Sequence, residues 1–187
     1  MIREARKEDT EELIELLKVI LTDMELPVMQ EADWEDIKPA LVEAGKLENY
    51  RLNFRNAMVK EVDGRVAGFF YGYRGGTPAE AYEPIETMLK QHDLPVAEPT
   101  DEEESMDGEW YLDSLVTHQA YRGLGIGKEL LEAAFKKAKE CGMSVIGLNV
   151  DHGNPRARAL YEHMGFEKTG EVVLADHDYD HMQRQLK

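Results

Sequence analysis

The chain has 187 residues, 42% hydrophobic and 32% charged, with a formal net charge of −16. That is apolar material for one domain with a sizeable core, yet no apolar run approaches the ~20 residues of a membrane span. The charge argues against nucleic-acid phosphate, whose binding needs clustered Lys and Arg; acidity draws cationic partners such as amines or basic peptides, with mutual repulsion between copies as its plainer consequence.

In chain order, Ile2 to Ala5 reads as a short strand. Asp9 is placed as an N-cap, with Glu12 three residues on as in a capping box, and Leu13, Ile14, Leu16, Leu17, Ile20, Leu21 and Met24 form a helical stripe. Residues 31–46 read as a second amphipathic helix carrying Trp34, Ile37, Leu41 and Val42 on one face, which Pro39 threatens to split. Ala57 to Val62, Asp63-Gly64 and Arg65 to Tyr73 read as a β-hairpin around a tight turn. A further helix is expected over 78–92. The stretch from His92 to Glu109 carries Glu102, Glu103 and Glu104 and reads as an exposed loop. Its 98–109 part could hold an amine, or be only a solvated acidic face.

Trp110 to Thr117 is a strand of aromatic and branched residues, followed by a helix over about 127–141 that buries Leu130, Leu131, Ala134, Phe135 and Ala138 and stops at Gly142. Ser144 to Val150 is the next strand. Asn154 caps a helix running to Met164, with Pro155 in its first turn and Gly165 just past its end. Phe166 to Leu174 and Tyr179 to Leu186 are the last strands. His177 and His181, in DHDYDH, read as a polar edge and not as a metal site. The single cysteine, Cys141, ends a helix with no activating base nearby in sequence, so it is not read as a nucleophile. With no partner for a disulfide and no apolar leader in MIREARKEDT, a cytoplasmic location is expected.

The segment THQAYRGLGIGKELLEAAF sets three glycines where a helix must nucleate, although glycine is a poor helix former. It is not a Walker A loop: Gly123 to Gly127 is one residue too short, and Glu129 stands where a hydroxyl should bind magnesium. Nor is it a dinucleotide fingerprint, since the third glycine falls at 127 and not 128. A kinase glycine loop lies between strands. What these motifs share remains: converging backbone amides at a helix start, whose partial positive charge suits a phosphate or diphosphate. A tight strand-to-helix turn would use the same glycines.

The run Arg122-Gly123-x-Gly125-x-Gly127 resembles the R/Q-x-x-G-x-G/A acyl-CoA signature of the GNAT superfamily of N-acetyltransferases. Downstream, NPRARALYEHMGF is similar to that family's N-x-x-A-x-x-L-Y-x-x-x-G-F, matched by Asn154, Ala157, Leu160, Tyr161, Gly165 and Phe166. IREARKEDTEELIELL and VDGRVAGFF fit its opening strand and helix and its second and third strands more loosely. The resemblance covers the chain except about 75–108, expected to be an insertion in a single domain over 1–187. It implies an α/β fold with a central, largely antiparallel mixed sheet flanked by helices.

It also implies that Arg122, Gly123, Leu124, Gly125, Ile126, Gly127 and Lys128 bind the diphosphate of acetyl-CoA through their backbone. Leu115, Val116 and Thr117 would pair with the pantetheine arm and turn an N–H toward the thioester oxygen, an oxyanion-type contact. Asn154 would touch the cofactor besides capping its helix, and Tyr161 would protonate or hydrogen-bond the departing sulfur. The reaction implied is direct attack by a primary amine. A lysine-like amine near pKa 10.4 is roughly 4 to 5 kcal/mol from its neutral form at pH 7, so a carboxylate or water chain must take a proton. Glu109 and Asp113 share one strand parity, and Asp113, nearer the expected cleft, is the candidate base. His118 would flank the substrate or simply end the strand. The acceptor would be a small-molecule amine or a peptide or protein amine, and by resemblance the chain could pair into a homodimer through its last strands. A non-catalytic acyl-CoA sensor on the same scaffold is the alternative.

Overall fold

The computed structural model describes residues 1–97 and 103–187. Its strands are β1 Ile2–Glu4, β2 Ala57–Val62, β3 Arg65–Arg74, β4 Trp110–Thr117, β5 Val145–Asp151, β6 Glu167–Leu174 and β7 His177–Gln185. Its α-helices are α1 Thr10–Asp23, α2 Pro27–Glu31, α3 Trp34–Ala44, α4 Glu83–Gln91, α5 Ile126–Glu140 and α6 Pro155–His163. The strands form one mixed sheet in the order β1-β2-β3-β4-β5-β7-β6. Every neighbouring pair is antiparallel except β4 with β5.

Alternation along β3 explains the layers. Phe69 and Tyr71 point to one face, where Leu13, Ile14 and Leu17 of α1 and Ile37 and Leu41 of α3 bury them. Phe70 points to the other, where it joins Trp110, Ile146, Leu148 and the Leu130–Leu131 pair of α5. A strand buried on both faces has no polar alternation, which is why RVAGFFYGYR reads as a continuous apolar run.

The parallel pair fixes where a ligand can enter. β4 meets β5 only at Trp110↔Ile146 and Tyr111↔Gly147. Beyond those two rungs both strands run on without each other, so the sheet opens into a cleft at their C-terminal ends. Beside it, β3 pairs Tyr71 with Ser114 and Gly72 with Leu112, leaving Asp113 as the extra residue of a β-bulge. Bulges re-aim side chains next to functional sites.

Several expectations need correction. Asp9 does not cap α1 with its side chain; its carboxylate instead accepts two bonds from Arg3, at 2.7 and 3.0 Å, and one from the Arg6 amide. Glu12, expected to reach back to that cap, accepts from the Val66 amide. Pro39 lies inside an unbroken α3, which the burial of Ile37, Ala40, Leu41 and Ala44 holds together, and the short α2 precedes it unforeseen. The 78–92 helix is a 3-10 turn followed by α4.

The 92–109 stretch is not exposed throughout: Ser105 and Glu109 are buried, while 98–102, including Glu102, lie outside the described residues. Finally, β7 crosses back between β5 and β6, so His181 is interior and fully buried instead of on a polar edge.

Candidate functional site: a split-sheet groove

A groove of about 1030 Å³ fills the cleft between β4 and β5. Small-molecule sites run to about 1,000 Å³, so there is room for an extended cofactor. One wall is the glycine run. Gly123 and Gly125 have φ of +82° and +80°, a left-handed conformation that costs other residues roughly 1–2 kcal/mol. The positions a Cβ would take there meet nothing within 4 Å. The glycines therefore supply both the turn and an open approach to the backbone.

Gly125 is the N-cap of α5, and no side chain caps it. The first intrahelical bond runs from the Glu129 amide to the Gly125 carbonyl. The amides at the helix start have no intrahelical partner and are donors available to an anion; the Arg122 amide, expected among them, is instead donated to the Gln119 carbonyl at 3.3 Å. Arg122, Gly123, Gly125, Ile126, Gly127 and Lys128 line the groove; Leu124 does not, and its side chain is exposed.

Leu115, Val116 and Thr117 line the groove along the stretch of β4 that has lost β5 as a partner. Opposite, Asn154 caps α6 by accepting from the Ala157 amide at 3.1 Å. Tyr161, six residues into α6, presents a partly buried ring edge-on to Phe166 at 5.9 Å. Burial pushes its phenol up to about 12, so it is a neutral hydrogen donor at physiological pH. Asn154 and Tyr161 also line the groove, as does Arg156 from the first turn of α6. The predicted cofactor residues, Leu124 apart, are thus brought to one cleft, with Arg122, Lys128 and Arg156 adding positive charge.

The far end is built differently. Asp113 accepts from Tyr73 Oη and Ser114 Oγ, both at 2.6 Å, and pairs with Arg51. Arg51 stacks over Tyr82 at 4.6 Å and stands 3.6 Å from Glu104. Burial first, and then the negative charge of Asp113, hold the Tyr73 phenol well above its usual range. For Tyr111 burial again leads, followed by Glu104. Asp113 does reach the groove as its parity required, but its carboxylate is occupied by three donors. That arrangement orients Arg51 and Tyr73 and sets the carboxylate at the groove.

Glu109, its partner in parity, turns the other way and packs against Gly147 and His181. His118 is not at the groove; its ring accepts from the Ala120 amide and starts a 3-10 turn. No sequence pattern marks Arg51, Asn149 or Tyr179, which also line the groove, whereas Glu104, there too, comes from the acidic 98–109 part expected to hold an amine or to be a solvated face. Tyr111 also had a signal, sharing the parity of Asp113 on β4.

A split mixed sheet with an uncapped glycine turn at the mouth and a phenol across it is the arrangement that the resemblance to acyl-CoA-dependent transferases implies. The chain belongs to the acetyltransferase (GNAT) family, whose model matches residues 15–166, and acetyl-CoA is that family's co-substrate. It is similar to a crystal structure of an acetyltransferase, 38% identical over 100% of both chains with a TM-score of 0.87. It is also similar to an N-acetyltransferase from Staphylococcus aureus Mu50, 29% identical over 98% of this chain and 99% of that one, with a TM-score of 0.86. Among curated proteins it matches the uncharacterized N-acetyltransferase YycN of Bacillus subtilis (strain 168), 38% identical over 56 residues; the match spans 30% of this chain and 36% of that protein. Among the described residues, no helix is long and apolar enough to cross a membrane.

Proposed function

We propose that this protein moves the acetyl group of acetyl-CoA to a primary amine by direct attack, with no covalent enzyme intermediate. The observation that carries the reading is the convergence, in one groove, of uncapped α5 amides, the unpaired edge of β4 and the Tyr161 phenol. The amides from Gly123 to Lys128 hold the diphosphate, and Arg122, whose own amide is donated to the Gln119 carbonyl, flanks it. Backbone groups of Leu115, Val116 and Thr117 align the thioester and receive the charge that develops on its oxygen, and Asn154 flanks the cofactor while capping α6.

The amine nitrogen bonds to the acetyl carbon as the carbon–sulfur bond breaks. The Tyr161 hydroxyl gives its proton to sulfur and recovers one from water. The nitrogen's surplus proton leaves through water at the carboxylate-lined end. Asp113 serves there by fixing Arg51 and Tyr73. The acceptor is a small-molecule amine or an amine of a peptide or protein, the setting is the cytoplasm, residues 75–108 are an insertion in the domain, and the last strands are a dimer surface.

The test is thiol release from acetyl-CoA with a panel of spermidine, kanamycin, L-lysine and glycyl peptides, alongside calorimetric titration of acetyl-CoA. Turnover with one amine, cut by about 10²-fold or more in Tyr161→Phe at unchanged acetyl-CoA affinity, supports the reading. Absence of binding at high micromolar acetyl-CoA rejects it. Binding that is indifferent to every amine and to the substitution favours an acyl-CoA sensor.

A further inference from the structure

Behind the amine end of the groove lies a buried polar chain that the acetyl-transfer reading leaves unused. Glu109 is 1% exposed and His181 fully buried. The two meet at 2.9 Å between Oε2 and Nε2. The same carboxylate accepts from Gln183 Nε2 at 2.7 Å and from the Met106 amide at 2.9 Å. On its other side, the His181 ring stands 2.6 Å from Asn149 Oδ1. Asn149 then donates through Nδ2 to the Glu104 carbonyl at 2.7 Å and to Tyr111 Oη at 3.0 Å.

The carbonyl of Glu104 can only accept, so it fixes which way the Asn149 amide points. The Asn149 oxygen must then face His181, and Nδ1 carries the hydrogen between them. The chain has one sense along its length, and its members cannot flip independently. It begins in the core and ends on two groove-lining residues, Glu104 and Tyr111, of which Glu104 stands beside Arg51. Burying such polar groups is costly unless every one is hydrogen-bonded. Their retention here coincides with the pinning of the segment that forms the groove wall: Met106 hangs on Glu109, and Gly76 on Ser105 at 3.0 Å.

We infer that Glu109 and His181 are positioning residues for the amine acceptor: through Asn149 they set the Glu104 main chain and the Tyr111 hydroxyl at the amine end of the groove. The inference rests on the acetyl-transfer reading. It separates the two substrates, because the chain reaches neither the glycine turn nor α6.

The experiment compares wild type with Glu109→Gln and Asn149→Ala. The second substitution cuts the chain at the groove wall and leaves the buried pair in place, so it reports even if the first does not fold. Three quantities are read: KM for the panel amine with the highest kcat/KM, acetyl-CoA affinity by calorimetry, and hydrogen exchange of the 103–110 peptide. The expected result is an amine KM raised roughly 10- to 100-fold in each folded variant, with acetyl-CoA affinity within twofold. Exchange at 103–110 should be faster in Glu109→Gln, where the Met106 amide loses its carboxylate. An unmoved amine KM in Asn149→Ala overturns the inference, as does an equal loss of acetyl-CoA affinity. Wild type that turns over no amine rejects the acetyl-transfer reading, and this inference falls with it; wild-type turnover with unmoved variants rejects the inference alone.

Discussion

Gly147→Ala adds one methyl group to β5 at a point where the Glu109 carboxylate lies on the strand. The new Cβ would sit 1.9 Å from Oε2, 2.4 Å from Cδ and 2.8 Å from Oε1. Glu109 cannot yield without leaving His181, Gln183 and Met106, to which those same oxygens are bonded. Overpacking alone costs about 1–3 kcal/mol, and leaving buried donors without their acceptor costs about 1–3 kcal/mol each. The two are one displacement and do not add, so about 4 kcal/mol is expected, a large share of the ~5–15 kcal/mol that holds an ordinary domain together. With a urea m-value near 2 kcal/mol/M, the unfolding midpoint should fall by roughly 2 M at unchanged m.

The cause is isolated by repeating the substitution in a Glu109→Ala background. There the obstructing atoms are gone, and alanine is by about 0.5–1 kcal/mol the better strand residue. Gly147→Ala should then cost nothing measurable, giving a coupling above ~2 kcal/mol between the two sites. Equal losses in both backgrounds, or a wild-type loss below ~1 kcal/mol, would show that the carboxylate does not rest on Gly147 and refute the reasoning.

Three further outcomes are expected. Gly125→Ala should lose about 1–2 kcal/mol of stability to left-handed strain, with no steric term, since nothing lies near the added methyl; its acetyl-CoA affinity should fall at the same time, and a calorimetric titration that shows wild-type affinity contradicts the anion-site role. Because the Tyr161 phenol is held up to about 12, kcat/KM should climb with pH as the amine deprotonates and show no descending limb below about pH 10; a limb near pH 8 to 9 that vanishes in Tyr161→Phe counts against the assignment. Bonding to Arg3, reinforced by the Arg6 amide, holds the Asp9 carboxyl below its ordinary value. A depressed carboxylate contributes stability that is fully present above the unfolded pKa of about 3.9 and is lost as pH falls through the folded one. Asp9→Asn should therefore be less stable than wild type from pH 7 down to about 5, with the gap closing below about 3.9; urea midpoints that keep a constant gap to pH 2.5 would exclude the Arg3 pairing as its source.

The elements that were legible in the sequence are those whose determinants lie within a few residues of each other. The helix α6 carries its own start in Asn154 and Pro155 and its own stop in Gly165, and β4 was bounded correctly because no other pattern competes with WYLDSLVT. Asp9 failed as a cap for the opposite reason. Its carboxylate had a second claimant in Arg3, six positions away on β1, and a bidentate guanidinium outcompetes a neutral amide. The DHDYDH stretch does not reveal its interior place, because edge or centre is not a property of a strand. It depends on where the chain returns, and β7 returns inside β6.

The groove divides along the same line. Its cofactor half is made of backbone, and backbone leaves a local trace: positive φ selects glycine at 123 and 125, and an uncapped first turn needs no particular side chain. The half proposed for the acceptor is made of side chains from the 45–56 coil, the segment before β4, β4, β5 and β7, brought together across as many as 128 positions (51 to 179). Glu104, Tyr111 and Asp113 apart, each of those residues is unremarked in its own neighbourhood, and Arg51 gains meaning only when Asp113 and Glu104 arrive beside it. The bulge that frees Asp113 is likewise a register event between two strands and has no signature in either. The consequence is physical. A half that would bind a cofactor through amides is specified by conformation, whereas a half that would select an acceptor is specified by convergence. Substitutions that alter acceptor choice should therefore fall among Arg51, Glu104, Tyr111, Asn149 and Tyr179 without disturbing the turn at 122–128.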